Sequence, residues 1–212
     1  MTILRERLGN GGKNIQLMAK IDSINGLENF EEILNAADGV VFQRNELAWD
    51  IPSEKLNTAQ KWAVQTASRT AKLFMVQSQV LESMVVVPAP DRTEVTEIST
   101  ATLDGVDSFI LSHETSVGAN TLDSVVTLAK GIAEAENVFD FEQAYINVRE
   151  EIKAQGPEAT NIDILATSSC GIAFEKDSDV DMMICLTETG KIARYLAKQR
   201  PKQPILACST SG

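Results

Sequence analysis

Short apolar runs alternate along the chain with longer stretches in which apolar residues recur every three or four positions, the pattern of parallel α/β structure. Residues 15–21, 38–42, 73–76 and 108–111 predict strands. Between the first two lies a helix on which Leu27, Phe30, Ile33 and Leu34 share one face. Residues 53–70 predict a longer helix, opened by Pro52 with Ser53 as its cap. Each strand runs into a polar loop that carries a carboxylate or a hydroxyl: Asp22, Glu46, Ser78, and Ser112 with Glu114. In a (β/α)8 barrel the reacting groups sit just past the C-terminal ends of successive strands, which converge on one pocket. The strands read here supply half of such a ring.

Beyond residue 120 the texture changes. Residues 122–138 and 141–154 predict helices, Gly156-Pro157 breaks the chain, and 162–174 is a further helix. A buried strand over 180–186, a helix over 191–199 and a second parallel strand over 205–208 read as the start of a second α/β domain. Two strands are fewer than such a sheet needs to cover its own faces. The expected domains are 1–136 and 137–212, with no internal repeat, low-complexity tract or flexible linker.

Composition narrows the function. With 212 residues and 43% of them apolar, the chain is an ordinary globular protein with a buried core. A formal net charge of −11, with 19 basic residues scattered among 30 acidic ones, argues against a nucleic-acid surface. Cys170, Cys185 and Cys208 stand at wide spacing with a single histidine in the chain, which argues against a zinc site or a disulfide framework and fits a reducing compartment. Residues 1–7 carry no apolar core of signal-peptide length, and no run approaches the roughly 20 apolar residues of a membrane span. The expectation is a soluble, cytoplasmic protein without a membrane span.

Several segments, in order and in register, carry a resemblance. They are Gly12-Lys13-Asn14-Ile15 leading into Ala19-Lys20-Ile21-Asp22, then Ala37-Asp38-Gly39-Val40, Leu81-Glu82-Ser83-Met84 and Pro88-Ala89-Pro90-Asp91-Arg92-Thr93-Glu94. Leu103-Asp104-Gly105-Val106-Asp107, Leu111-Ser112-His113-Glu114-Thr115 and Leu186-Thr187-Glu188-Thr189-Gly190 continue the series. Together they resemble pyruvate kinase. The fold this implies is α/β: a partial (β/α)8, TIM-type barrel, being the second half of the catalytic barrel, followed by an incomplete α/β C-terminal domain with a parallel sheet.

The resemblance implies phosphoryl transfer from phosphoenolpyruvate to ADP with Mg2+ and K+ in the site, then protonation of the enolate to pyruvate. That chemistry needs carboxylates to fix the metal, a cation facing the phosphoryl group, and donors for the substrate's anionic oxygens. Lys20 matches the family's catalytic lysine, while Asp22 and Glu46 match its metal carboxylates. Asp22 stands for a Glu and Glu46 for an Asp, a reciprocal change of one methylene in reach. Arg44, Asn45, Glu46 and Ser78 match substrate-binding positions, and Ser78 also stands for a threonine near the proton-transfer step. Asn45 replaces a glycine, which obstructs the approach of the substrate anion and removes glycine's conformational freedom. For Ser78 a second reading stays open, a cap on a helix over residues 79–85. His113 replaces a glycine and reads as an incidental substitution. The loop Thr187–Lys191 resembles a segment that binds a sugar bisphosphate in relatives, but Glu188 and Ile192 weaken that reading, and a turn capping a strand explains it equally well.

The resemblance leaves the first four barrel strands, the inserted lid domain and the last C-terminal strands without counterpart here, and with them the K+ ligands and much of the ADP site. An open half-barrel exposes strand edges and its inner apolar layer. The expected partner is therefore the rest of the same enzyme, a separate protein chain or a larger assembly, and a homo-oligomer stays open. Two functions compete: part of an enzyme that is not competent alone, or a catalytically degenerate homologue serving as a structural scaffold. A sensor that uses the second domain has little to recommend it.

Overall fold

The computed structural model describes residues 2–12, 15–156, 160–175 and 178–210. Lys13 and Asn14 of the first quoted motif and Pro157 of the chain break lie outside the described residues. The chain divides into two compact units, Met1–Phe139 and Asp140–Gly212. Among the described residues no helix is long and apolar enough to cross a membrane.

In the first unit the apolar runs become β1 (Met18–Ile21), β2 (Gly39–Gln43), β3 (Leu73–Gln77) and β4 (Ser108–Ile110). They form one parallel sheet in the order β1-β2-β3-β4, which is not closed into a barrel among the described residues. The register sets Lys20 beside Val41, Phe42 beside Val76, and Gln43 beside Gln77, so the polar strand ends line up in a row. The connecting helices are α1 (Thr2–Leu8), α2 (Ile24–Glu28), α3 (Phe30–Ala36), α4 (Arg44–Asp50), α5 (Ser53–Arg69), α6 (Arg92–Asp104), α7 (His113–Ser116) and α8 (Thr121–Asn137). Single 3-10 turns cover Asn10–Gly12 and Glu82–Val85. Phe30, Leu34, Phe42, Leu47, Ala63, Ala67, Phe74 and Val76 form the core, and fully burying a large apolar side chain of this kind contributes roughly 1.5–3 kcal/mol. A second cluster, Val80, Leu81, Met84, Ile98 and Leu128, packs the later elements.

Four expectations change. Residues 15–17 are not strand, because the Leu17 N–H donates to the Asp38 carboxylate at 2.8 Å and the ladder starts at Met18. The helix before β2 is interrupted at Asn29, whose side chain donates to the Asn25 carbonyl at 2.8 Å, so Leu27 and Phe30 stand on separate helices. Pro52, not Ser53, holds the cap position of α5, and no side chain caps that helix. Over residues 79–85 no α-helix forms: Ser78 and Gln79 both have positive φ, at 70° and 54°, which is incompatible with a helical start, and the 3-10 turn follows only from Glu82. The longest helix not read from the pattern has 13 residues. This is α6, opened by a capping box between Asp91 and Glu94 and closed by the left-handed Gly105.

The second unit contains α9 (Phe141–Gln155), α10 (Asn161–Ala173), β5 (Met183–Leu186), α11 (Lys191–Lys198) and β6 (Ile205–Cys208). The two strands pair in parallel. Asp140 caps α9 by accepting from the Gln143 N–H, and Thr160 caps α10 by accepting from Asp163. Tyr145, Ala166, Cys170, Cys185 and Leu196 form its core. Burial pushes the Cys170 thiol up to about 11. The strand expected to be buried over 180–186 is shorter and only one face of it is covered: Cys185 is buried, whereas Ile184 and Leu186 are 67% and 78% exposed.

Candidate active site at the strand ends

Alternation along β1 turns Ile21 into the core and leaves Lys20 on the accessible face. Lys20 stretches toward two carboxylates. Its Nζ lies 3.5 Å from Glu46 Oε1 and 4.0 Å from Asp22 Oδ2. All three side chains are about half exposed, so the ion pairs themselves contribute little stability, and the ammonium stays accessible to a ligand.

Glu46 occupies the first turn of α4, where unpaired N–H groups favour negative charge. Burial of its carboxylate acts upward on its pKa. The Gln43 side chain, the Glu46 N–H and Lys20 outweigh burial and hold the group below its ordinary value. Asn45, the second residue of α4, is half-buried and is not among the residues with positive φ. The backbone here is helical, so glycine's conformational freedom is not needed. Only the bulk of the side chain remains of the objection to asparagine.

Ser78 follows β3 and is buried. It caps no helix. Its Oγ accepts from Gln43 Nε2 at 2.6 Å. Gln43, at the end of β2, therefore joins the two halves of the site, with its amide bonded to Ser78 and acting on Glu46. Lys20, Asp22 and Glu46 come together directly, and Ser78 is linked to them through Gln43. Sequence reasoning missed Gln43. Its signal is its place as the last polar residue of a strand whose other positions are apolar.

Arg44 points elsewhere. Its side chain is 9% exposed, its Nε donates to the Ser78 carbonyl at 3.3 Å, and a terminal nitrogen donates to the Gln79 carbonyl and pairs with Glu97 Oε2 at 2.9 Å. Burial pushes the Arg44 pKa down and Glu97 opposes the shift. Glu97 lies on α6, a helix the pattern did not disclose. His113 is exposed and makes no side-chain hydrogen bond among the described residues. In the second unit the Thr187 N–H donates to the Cys208 carbonyl at 2.9 Å, and the left-handed Gly190 opens α11, so the loop after β5 acts as a turn between strand and helix.

The donor set suits Mg2+. Two carboxylates, Asp22 and Glu46, lie within 4.0 Å of the same Lys20 ammonium, and Glu46 Oε2 is buried without a hydrogen-bond partner among the described residues. Mg2+ is commonly held by one or two carboxylates, with water and substrate oxygens completing its octahedron. No group of three or more metal-binding side chains occurs among the described residues, so a protein-only cage is not present there.

The model of the pyruvate kinase barrel domain matches residues 1–125. A pyruvate kinase of Eimeria tenella is 37% identical over 209 residues, covering 98% of this chain and 38% of the relative. One of Dictyostelium discoideum is 36% identical over 207 residues, covering 98% and 40%. The crystal structure of a pyruvate kinase from Cryptosporidium parvum superposes with a TM-score of 0.89 at 31% identity, over 99% of this chain and 43% of that one. The chain thus spans about two fifths of the length of the relatives it matches. The fold is thus similar to a part of the pyruvate kinase structure, and the chain belongs to the pyruvate kinase family.

Proposed function

We propose that these strand ends form one side of a site that transfers a phosphoryl group from phosphoenolpyruvate to ADP. The observation that carries the reading is the Lys20 ammonium set between Glu46 and Asp22, at 3.5 and 4.0 Å, on adjacent strand ends. In the transfer, the bond from phosphorus to the enol oxygen breaks and one to a terminal oxygen of ADP forms. The enolate left behind takes a proton at carbon to give pyruvate. Lys20 balances the charge of the phosphoryl group in transit. Asp22 and Glu46 would hold Mg2+, which when bound neutralises charge on the phosphoryl oxygens. The Asn45 N–H, in the first turn of α4, is the donor for the substrate's anionic oxygens. The Ser78 hydroxyl, held by Gln43, serves the proton delivered to the enolate.

Four strand ends wall one side of the bowl. Turnover is therefore expected only where the remaining walls are supplied, by the same chain or by another, because positioning provides most of the rate in this chemistry. The test is pyruvate formation by a preparation with all walls present. Lys20→Ala should lose about 10²–10³-fold in rate, the scale seen when one charge-stabilising group is removed. Equal turnover by the parent and the variant overturns the reading. A second reading, a structural subunit of a larger assembly, is favoured by the open face of the β5–β6 pair, where Ile184, Leu186 and Leu206 are exposed. A chain that is monomeric at high concentration counts against it.

A further inference from the structure

Ser78 and Gln79 are consecutive left-handed residues, and neither is the glycine or asparagine that visits this region readily. Two such residues in succession persist only where their surroundings hold them. Close packing does not do this alone, because a cavity of about 200 Å3 borders Gln79, Arg44, Glu97 and Gln60. The restraint that is visible is the Arg44 guanidinium. Its planar fork bonds the carbonyls of both left-handed residues, and Glu97 engages the same terminal nitrogen from α6. On the other side of the turn, Gln43 takes the Ser78 hydroxyl at 2.6 Å.

We propose that Arg44, backed by Glu97, is a positioning residue: it holds the Ser78–Gln79 turn in its left-handed form and so fixes the Ser78 hydroxyl against Gln43, and it does not itself bind substrate. What the hydroxyl does rests on the phosphoryl-transfer reading. How it is held does not.

The distinguishing measurement is rescue by glycine. Gly occupies positive φ without the penalty that Gln and Ala share, so Gln79→Gly should relieve the need for the Arg44 fork, while Gln79→Ala controls for loss of the side chain. Arg44→Met is expected to lower the urea midpoint followed by tryptophan fluorescence and to shift the backbone amide and Cα resonances of Ser78 and Gln79 away from left-handed values. In the Gln79→Gly background at least half of the midpoint loss should disappear, and in the Gln79→Ala background none. Equal losses in the two backgrounds, or left-handed resonances unchanged in Arg44→Met, overturn the proposal. Should Arg44→Met fail to fold, Glu97→Gln keeps the fork, loosens its anchor, and must show the same glycine-specific rescue on a smaller scale. A preparation with all walls present that does not bind phosphoenolpyruvate with Mg2+ counts against the phosphoryl-transfer reading, and the glycine rescue still decides the positioning role.

Discussion

The two units handle their strands differently. In the first, β2 is buried at every position from Gly39 to Gln43, with β1 and β3 as neighbours and helices packed over it. In the second, β5 and β6 pair only with each other among the described residues, and Ile184, Leu186 and Leu206 stay exposed. A continuous apolar run thus means a central strand in one place and a half-covered strand in the other. Hydrophobicity tells that a strand exists, while the number of neighbours decides how much of it is buried. The two tryptophans, Trp49 and Trp62, lie in the first unit and the two tyrosines, Tyr145 and Tyr195, in the second. Intrinsic fluorescence therefore reads the two regions separately.

The largest expected effect breaks the central strand. Phe42 is fully buried and lies 5.8 Å from the ring of Phe74, so Phe42→Ala should destabilise the tryptophan-reported transition by about 3–5 kcal/mol. Ile184→Ala on the open face should change the tyrosine-reported transition by no more than about 0.5 kcal/mol. Comparable losses from the two would mean that the open face is covered in solution.

The next effect concerns how each unit anchors a helix with a lysine. In the second unit Lys198 and Asp163 form a buried pair at 2.9 Å, so Lys198→Ala strands a buried carboxylate at a cost of about 3 kcal/mol. In the first, Lys72 donates to the carbonyls of Leu34, Asn35 and Ala37 at 2.5, 3.0 and 2.7 Å, closing the C-terminal end of α3. Lys72→Met should cost about 1–2 kcal/mol, because the carbonyls it frees can turn to water. Urea midpoints of the two variants test the ranking, and a larger loss from Lys72→Met would reverse it.

The ranking also shows what was legible in the sequence. Strands of both units were readable to within a few residues because apolar runs bounded by polar loops mark them. Helix α6 was not, because Thr96, Ser99, Thr100 and Thr102 blur its apolar period. In the fold each of these hydroxyls bonds the carbonyl four residues earlier, so the helix tolerates them. Asp91 and Glu94 were its readable signal. The Ser78–Gln79 turn could not be read locally, since Arg44, more than thirty positions away, makes the bonds that hold it. Asp22 and Glu46 were legible as strand-end carboxylates and Lys20 became a candidate through resemblance, and spacing alone does not show that one ammonium reaches both carboxylates. Gln43 and Glu97 escaped because their roles exist only once β2, β3 and α6 are assembled.

The smallest effect separates the units by acid. Burial acts upward on the Asp163 pKa, and Thr160 and Lys198 outweigh it, so the group is held below its ordinary value. For Asp38 burial likewise acts upward, and the Leu17 N–H and Arg5 outweigh it. A carboxylate with a lowered native pKa adds stability that is complete above its unfolded value, near 3.9, and is lost as pH falls through the native value, because the unfolded state binds the proton first. Both transitions should therefore weaken below about pH 4. The double variant Asp163→Asn with Lys198→Met removes both partners of its pair and should flatten the acid limb reported by tyrosine while leaving that reported by tryptophan. Asp38→Asn should do the reverse, more weakly, since Asp38 and Arg5 are partly exposed and solvent screens them. An acid limb that stays unchanged in the double variant would assign the loss of stability in the second unit to other carboxylates.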